Sequence, residues 1–465
     1  MHKRNWAAAA VAMAISGPVA AQDAELAKIR EEIKQLKENY EKRIQMLEKK
    51  LAEAEAKDAT SAAAKDAPLA APGVAARSAE SAFNPAISLI LQGTYANTSQ
   101  DPNTFQITGF MPSGGEVAPP KRGFGLSETE LIFSANIDPY FRGAAVAVLT
   151  PENEVELEEA FIQTLALPQG LTLKAGRFLS AIGYQNEIHP HAWDFLDAPL
   201  PYKAFLAGRL QQDGVQLKWV APTPLFLELG AELSSGNQFP GSERNKNGIG
   251  GSALFGHVGG DIGESYAWRA GLSYIKTSPQ DRGYEDVDSL GGTVLNSFTG
   301  DAKVWVADAV LKWAPNGNSS YTNFKLQGEY FRFRQAGTLT YDDTAGSGTF
   351  GALSDRFASR QSGWYAPAVY QFMPRWRVGY RYDRLDFGSV DNGIVLNGLG
   401  PTAADFSILT PHNPSRNSVM IDWSPSEFSR LRLQLAADKS RLGSTDNQIF
   451  IQYIHSLGAH GAHRF

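Results

Sequence analysis

The chain has 465 residues, a formal net charge of −6 and no cysteine. The absent cysteine excludes a disulfide framework and thiol chemistry, and the acidic balance argues against a nucleic-acid partner, which would call for a basic surface. Apart from the first residues, no apolar run reaches the 18 or so residues that a helical membrane span needs, while Gly (44) and aromatics (11%) are plentiful, as strands and turns require.

The first stretch has the form of a secretory leader. Lys3 and Arg4 give the positive start, Trp6 to Val19 the apolar segment, and Val19-Ala20-Ala21 a small-residue cleavage site. Residues 1–21 are therefore expected to be a signal peptide, which sends the rest of the chain out of a bacterial cytoplasm. Residues 22–56 then read as one helix. Leu26, Ile29, Ile33, Leu36, Tyr40, Ile44, Leu47, Leu51 and Ala54 recur at spacings of three and four, with one stutter near Tyr40 and charged residues between them. That is a coiled-coil seam, and so narrow an apolar stripe predicts self-association. Residues 57–82, rich in Ala with Pro68, Pro72 and Gly73, read as a linker.

From Phe83 to the end the period is two. Sixteen candidate strands follow, at about 86–97, 125–137, 140–149, 155–166, 171–178, 214–220, 225–234, 251–260, 267–276, 303–313, 321–333, 362–372, 375–386, 416–424, 430–438 and 447–457. Short connections such as Asp138-Pro139, Leu167 to Gly170 and Met373-Pro374 alternate with mostly longer ones at 98–124, 179–213, 235–250, 277–302, 334–361 and 387–415. Tight turns on one side and long loops on the other, around strands with one apolar face, predict an all-β fold: a transmembrane up-and-down antiparallel barrel over 83–465, preceded by the coiled-coil helix. The lipid face is read from Leu225, Leu227, Leu229 and Leu233, from Trp305 and Trp313 at opposite ends of one strand, and from Trp376, Val378, Tyr380 and Tyr382.

The opposite faces carry charge. Arg375, Arg377 and Arg381 form a ladder, Arg430 and Arg432 a second, and Lys174 and Lys218 flank the longest loop; Glu128, Glu130, Glu156 and Glu158 lie on early strands. These residues are predicted to line the pore and to order polar solutes in a transverse field. The loop at 179–213 is predicted to fold inward as a constriction, with Glu187, His189, His191, Asp194 and Asp197 on it and the acids facing the arginines. His189-Pro190-His191 also has the chemistry of a metal site, since zinc takes imidazole and carboxylate, and His460 and His463 form a further pair. Zinc uptake or binding is thus the alternative to a simple pore. A plugged transporter would need a plug domain and about 22 strands, against the roughly 60 residues between leader and first strand. A barrel hydrolase would need a nucleophile elbow, and no Gly-x-Ser-x-Gly occurs.

With this pattern the chain resembles the sixteen-stranded outer-membrane porins, and among them those with an N-terminal periplasmic coiled coil, the phosphate-selective and DcaP-like porins. The segments that carry the resemblance are Glu158 to Gln163, Leu173 to Phe178 and the terminal Phe465. The resemblance implies a homotrimer in outer-membrane lipid with the rod in the periplasm. It also implies a passive channel for small hydrophilic solutes without cofactor, narrowed by its third outer loop. The lining is of mixed sign, where phosphate selectivity would call for a denser run of cations.

Overall fold

The computed structural model describes residues 85–114 and 117–458. The expected leader, coiled coil and linker, together with Phe465, His460 and His463, lie outside these residues.

Every strand in the described part joins one antiparallel sheet that closes on itself. In chain order the strands are β1 (Ala86–Thr98), β2 (two segments, Gly123–Leu126 and Thr129–Asn136), β3 (Phe141–Leu149), β4 (Val155–Thr164), β5 (Leu171–Leu179), β6 (Gln211–Val220), β7 (Phe226–Ser234) and β8 (Gly251–Ile262). There follow β9 (two segments, Tyr266–Thr277 and Arg282–Val287), β10 (Thr293–Trp313), β11 (Asn323–Asp342), β12 (Ala352–Met373), β13 (Trp376–Asn392), β14 (Ser415–Ser426), β15 (Ser429–Asp438) and β16 (Asp446–Gly458). Both segments of β2 pair with β1, and both segments of β9 pair with β10, so the barrel has sixteen strands. Closure runs from Ser88 opposite Gly458 to Thr98 opposite Gln448. A closed barrel is one of the two structures that satisfy every backbone polar group inside a bilayer, because it leaves no edge.

The period-two reading of the strands describes their lower halves well. Outward residues such as Leu229, Leu233, Trp305, Tyr380 and Leu435 are exposed, while their neighbours in sequence point into the barrel. The wall is uneven, however. β10, β11 and β12 have 21, 20 and 22 residues, about twice what a bilayer requires. Much of what reads as loop at 277–302, 334–361 and 387–392 is therefore paired strand. The extension is held by its inner face, where Val294, Phe298, Leu339, Tyr341 and Phe357 pack against Met111, Ile394, Phe406 and Ile408 of two other connections. Its outer face is largely polar, with Leu295 an exposed apolar exception, so the apolar half of the alternation survives there mainly on the inside.

The connection 180–210 turns into the barrel. It carries one helix, α1 (Leu200–Leu206), all of whose residues are buried. α1 starts behind Pro199, with Pro201 in its first turn, and ends at Ala207, whose positive φ of 51° terminates it. Leu200, Tyr202, Phe205 and Leu206 pack on the inward Phe331, Phe333, Tyr365 and Leu385, so part of the lumen is a packed apolar core.

Candidate functional site

The site is the inward loop, the wall that grips it, and the space beneath it. The neck of the loop is tied by Asn186, which is fully buried. Its amide nitrogen donates to the carbonyls of Ser180 (2.7 Å) and Leu210 (2.9 Å), and its oxygen accepts from Leu210 N (2.7 Å). Two inward carboxylates pin the first limb of the loop, residues 180–185. Glu232 accepts from Ala181 N (2.9 Å) and Ser180 Oγ (2.5 Å). Glu329 accepts from Gln185 N (2.9 Å), Tyr202 OH (3.0 Å) and Tyr365 OH (2.6 Å).

The tip of the loop lies between two walls of opposite charge. On the acidic side, His189 Nδ1 is 2.9 Å from Glu158 and 3.3 Å from Glu130, and its Nε2 is 3.1 Å from Glu159. His191 Nδ1 is 2.7 Å from Glu130, and Arg209 pairs with Glu158 and with Glu128 (3.4 Å). Simple alternation would send Glu158 and Glu159 to opposite faces. A bulge in the β3–β4 pairing beside Val146 turns both toward His189. Burial alone would lower the His189 pKa, but Glu158 and Glu130 outweigh it and hold the imidazole protonated well above its ordinary range.

On the basic side, Asp194 pairs with Lys325 and with Arg377 (2.8 Å). Asp197 receives Arg416, Arg381 (3.2 Å) and Lys203 (3.2 Å). Arg381 also donates to the Asp197 carbonyl (2.8 Å), Arg430 to those of His191 (2.6 Å) and Trp193 (3.0 Å), and Arg432 to that of Trp193 (2.8 Å). Burial pushes the Asp197 carboxyl up, yet Arg416, Lys203 and Arg381 together hold it far below the usual carboxylate range. Asp194 is held down in the same way by Lys325 and Arg377.

The residues expected to line a pore thus divide. Arg381 and Arg432 are about 1% exposed and grip the loop. Arg377 bridges Asp194 to Asp422 (2.5 Å) and keeps a quarter of its side chain open. Arg375 leaves the ladder: it sits exposed in the Pro374-Arg375 turn with φ of 71°. Lys174 is buried beneath the loop, where it faces the rings of Phe161 and Phe178. Glu187 faces Lys218 (3.6 Å) rather than the arginines, and Glu156 is exposed at the start of β4. Glu130, His189 and His191 bring ligand atoms within 4.8 Å of one another. Glu130, the one carboxylate of the three, already faces the protonated His189, however, and the Arg209 guanidinium on Glu158 puts a permanent positive charge beside any divalent ion there. Asn186, Lys203, Arg209, Lys325, Glu329 and Arg416 escaped sequence reading. Lys325, Glu329 and Arg416 at least occupy inward positions of alternating strands.

Beneath the loop, on the side of the short turns, lie two adjoining cavities of about 850 and 670 Å³. Lys174, Lys218, Arg269, Lys312 and Lys325 line the first together with Glu159, Glu187, Glu228 and Asp261, and Tyr184, Phe226 and Trp268 add aromatic surface.

A closed sheet with an apolar belt outside and a charged, loop-filled interior defines this chain as a transmembrane β-barrel protein of the porin architecture. It belongs to the same family as an uncharacterized protein of Aquifex aeolicus (strain VF5), to which it is 30% identical over 365 residues, 74% of this chain and 71% of the relative. No family profile matches the chain. Among solved structures it is similar to the outer membrane protein OmpT of Vibrio cholerae in its trimer form (TM-score 0.49, 9% identity, 80% of this chain and 99% of that one). It is also similar to the outer membrane channel DcaP of Acinetobacter baumannii (0.46, 11%, 80% and 97%) and to Pseudomonas putida OprB (0.46, 12%, 83% and 96%).

Proposed function

We propose that the protein is an outer-membrane porin, a passive diffusion channel for small hydrophilic solutes with a weak preference for anions. The observation that carries this reading is the loop 180–210, clamped inside a closed sixteen-stranded barrel by charges of both signs above a charged cavity of about 850 Å³. A packed core would bury apolar residues throughout; here the space beneath the loop is lined by lysines and carboxylates. The loop sets the aperture, and the side chains beneath it set the field that a solute crosses. The loop end faces the medium and the short turns face the periplasm, the compartment we propose for the coiled coil expected at 22–56. The seam of that rod supports assembly, as a homotrimer, in keeping with the family resemblance noted from the sequence. Passive diffusion of this kind calls for no cofactor.

The test is single-channel recording of the full chain in a planar bilayer. Conductance steps in groups of three, with a small reversal potential under a salt gradient, are expected. A purified, folded barrel that gives no conductance in either polarity would overturn the reading.

A further inference from the structure

The tall wall carries a feature that solute passage leaves unexplained. On the outer face of β9–β12, Lys276 stands directly opposite Lys303, Lys303 opposite Arg334, and Arg334 opposite Arg360. Four cations thus form one row across four neighbouring strands, a span of about 15 Å at the usual strand spacing. Like charges facing each other across strands oppose pairing. The acids near the row are few. Asp301 is 3.8 Å from Lys276, and Asp386 is 3.3 Å from Arg384 one strand further on. Arg332 adds a further cation two residues below Arg334, opposite Trp305.

The height of the row is informative. Just beneath it run Tyr274, Trp305, Tyr330 and Trp364, and Trp313 stands at the far end of β10. Ten residues separate Trp313 from Lys303 along the strand. At the usual rise and tilt this is roughly 25 Å measured across the bilayer, the height of the apolar band of a membrane barrel. The row therefore stands where hydrocarbon ends and headgroups begin, on the side of the inward loop. Cations at that level are the residues that recognise anionic headgroups, and arginine matches phosphate with paired donors.

We infer that the outer face of β9–β12 is a docking row for the phosphate groups of membrane lipid in the leaflet at the loop end. The negative partner removes the repulsion along the row, and the aromatic residues below seat the acyl chains. The assignment is independent of what the channel passes.

The experiment is native mass spectrometry of the full protein in detergent, titrated with lipid A (a bis-phosphorylated glycolipid), with its phosphate-free derivative, or with phosphatidylethanolamine. Lipid A is expected to bind at least tenfold more tightly than the other two, and to be released by high salt. The variant K303Q/R334Q/R360Q should lose that tenfold preference, while K303R/R334K/R360K keeps most of it. Unchanged heat-modifiable gel mobility and conductance would show that both variants fold. Equal binding of all three lipids, or full lipid A binding by the glutamine variant, would overturn the inference. So would a glutamine variant that binds lipid normally but changes oligomeric state, since the row would then be a contact between copies.

Discussion

Asp197 is the residue on which the attachment of the loop turns. Arg381, Arg416 and Lys203 all reach it, and each of these cations is at most 3% exposed. Replacing Asp197 with Asn leaves the cations in place without their counter-charge. Breaking a buried pair in this way costs about 3 kcal/mol or more, so D197N should loosen α1 and its flanks. The measurement is hydrogen exchange over 196–206 together with open-channel current. Faster exchange and a larger, noisier conductance are expected, and an unchanged pair of readings would show that apolar packing alone holds the loop. The same change at Asp194 should do less, because Lys325 and Arg377 keep 21% and 25% of their side chains open to water. Gly183 gives a steric counterpart. Its φ of +61° and the closeness of the Glu329 carboxylate leave no room for a Cβ, so G183A should displace Glu329 and free residues 180–185 without altering the charged walls at the loop tip.

As an element, the loop is a strip of alternating charge whose cations face an acidic wall and whose acids face a basic one. The pH response of the acidic side follows from its histidine. The pKa of His189 is raised by Glu158 and Glu130 against its burial, so its contribution is complete below the ordinary value of 6.5 and is lost as pH rises through the raised value. Channel current should therefore be steady from mildly acidic to neutral pH and become noisier in alkali. H189Q should be noisy at every pH, with the alkaline transition gone. A wild-type record that stays flat into strong alkali would contradict this. The loop itself was legible in the sequence, because 35 or so residues rich in Pro, aromatics and charge between two alternating strands have no role on a plain surface. Its grip was not. Asp197 and Arg416 lie 219 positions apart, and only closure of the barrel brings β14 round to the loop. The strands were readable where lipid imposes the alternation. They faded in the upper halves of β10–β12, where outward residues such as Thr299, Thr338 and Ser354 meet water and turn polar. The bulge that turns Glu159 inward left no mark in the period.

At the scale of the whole barrel, the question is which charges act on a passing solute and which only hold the structure. Sequence reading assigns selectivity to the arginine ladders, and the geometry divides them: Arg377 lines the second cavity, while Arg381, Arg430 and Arg432 hold the loop. Arg381 is 1% exposed and engaged with Asp197 and Asp383, so its charge is neutralised within a few ångströms. Lys218 and Lys312, by contrast, line the cavity through which any solute leaves on the side of the short turns. The carboxylates nearest Lys218, Glu187 and Glu228 at 3.6 and 3.7 Å, stand on the same cavity wall, so the two lysines act there within a lining of mixed sign. Their fields extend about a Debye length, roughly 8 Å at physiological salt, and so reach the centre of the cavity. The double variant K218Q/K312Q should therefore shift the reversal potential in a salt gradient toward cations, with about a twofold fall in the anion-to-cation permeability ratio, and leave conductance close to wild type. R381Q should do the opposite, disturbing conductance through the loop while moving the reversal potential little. If R381Q alone moved selectivity, the ladder would have to be reached by solute, and the loop would have to stand away from it in the conducting state.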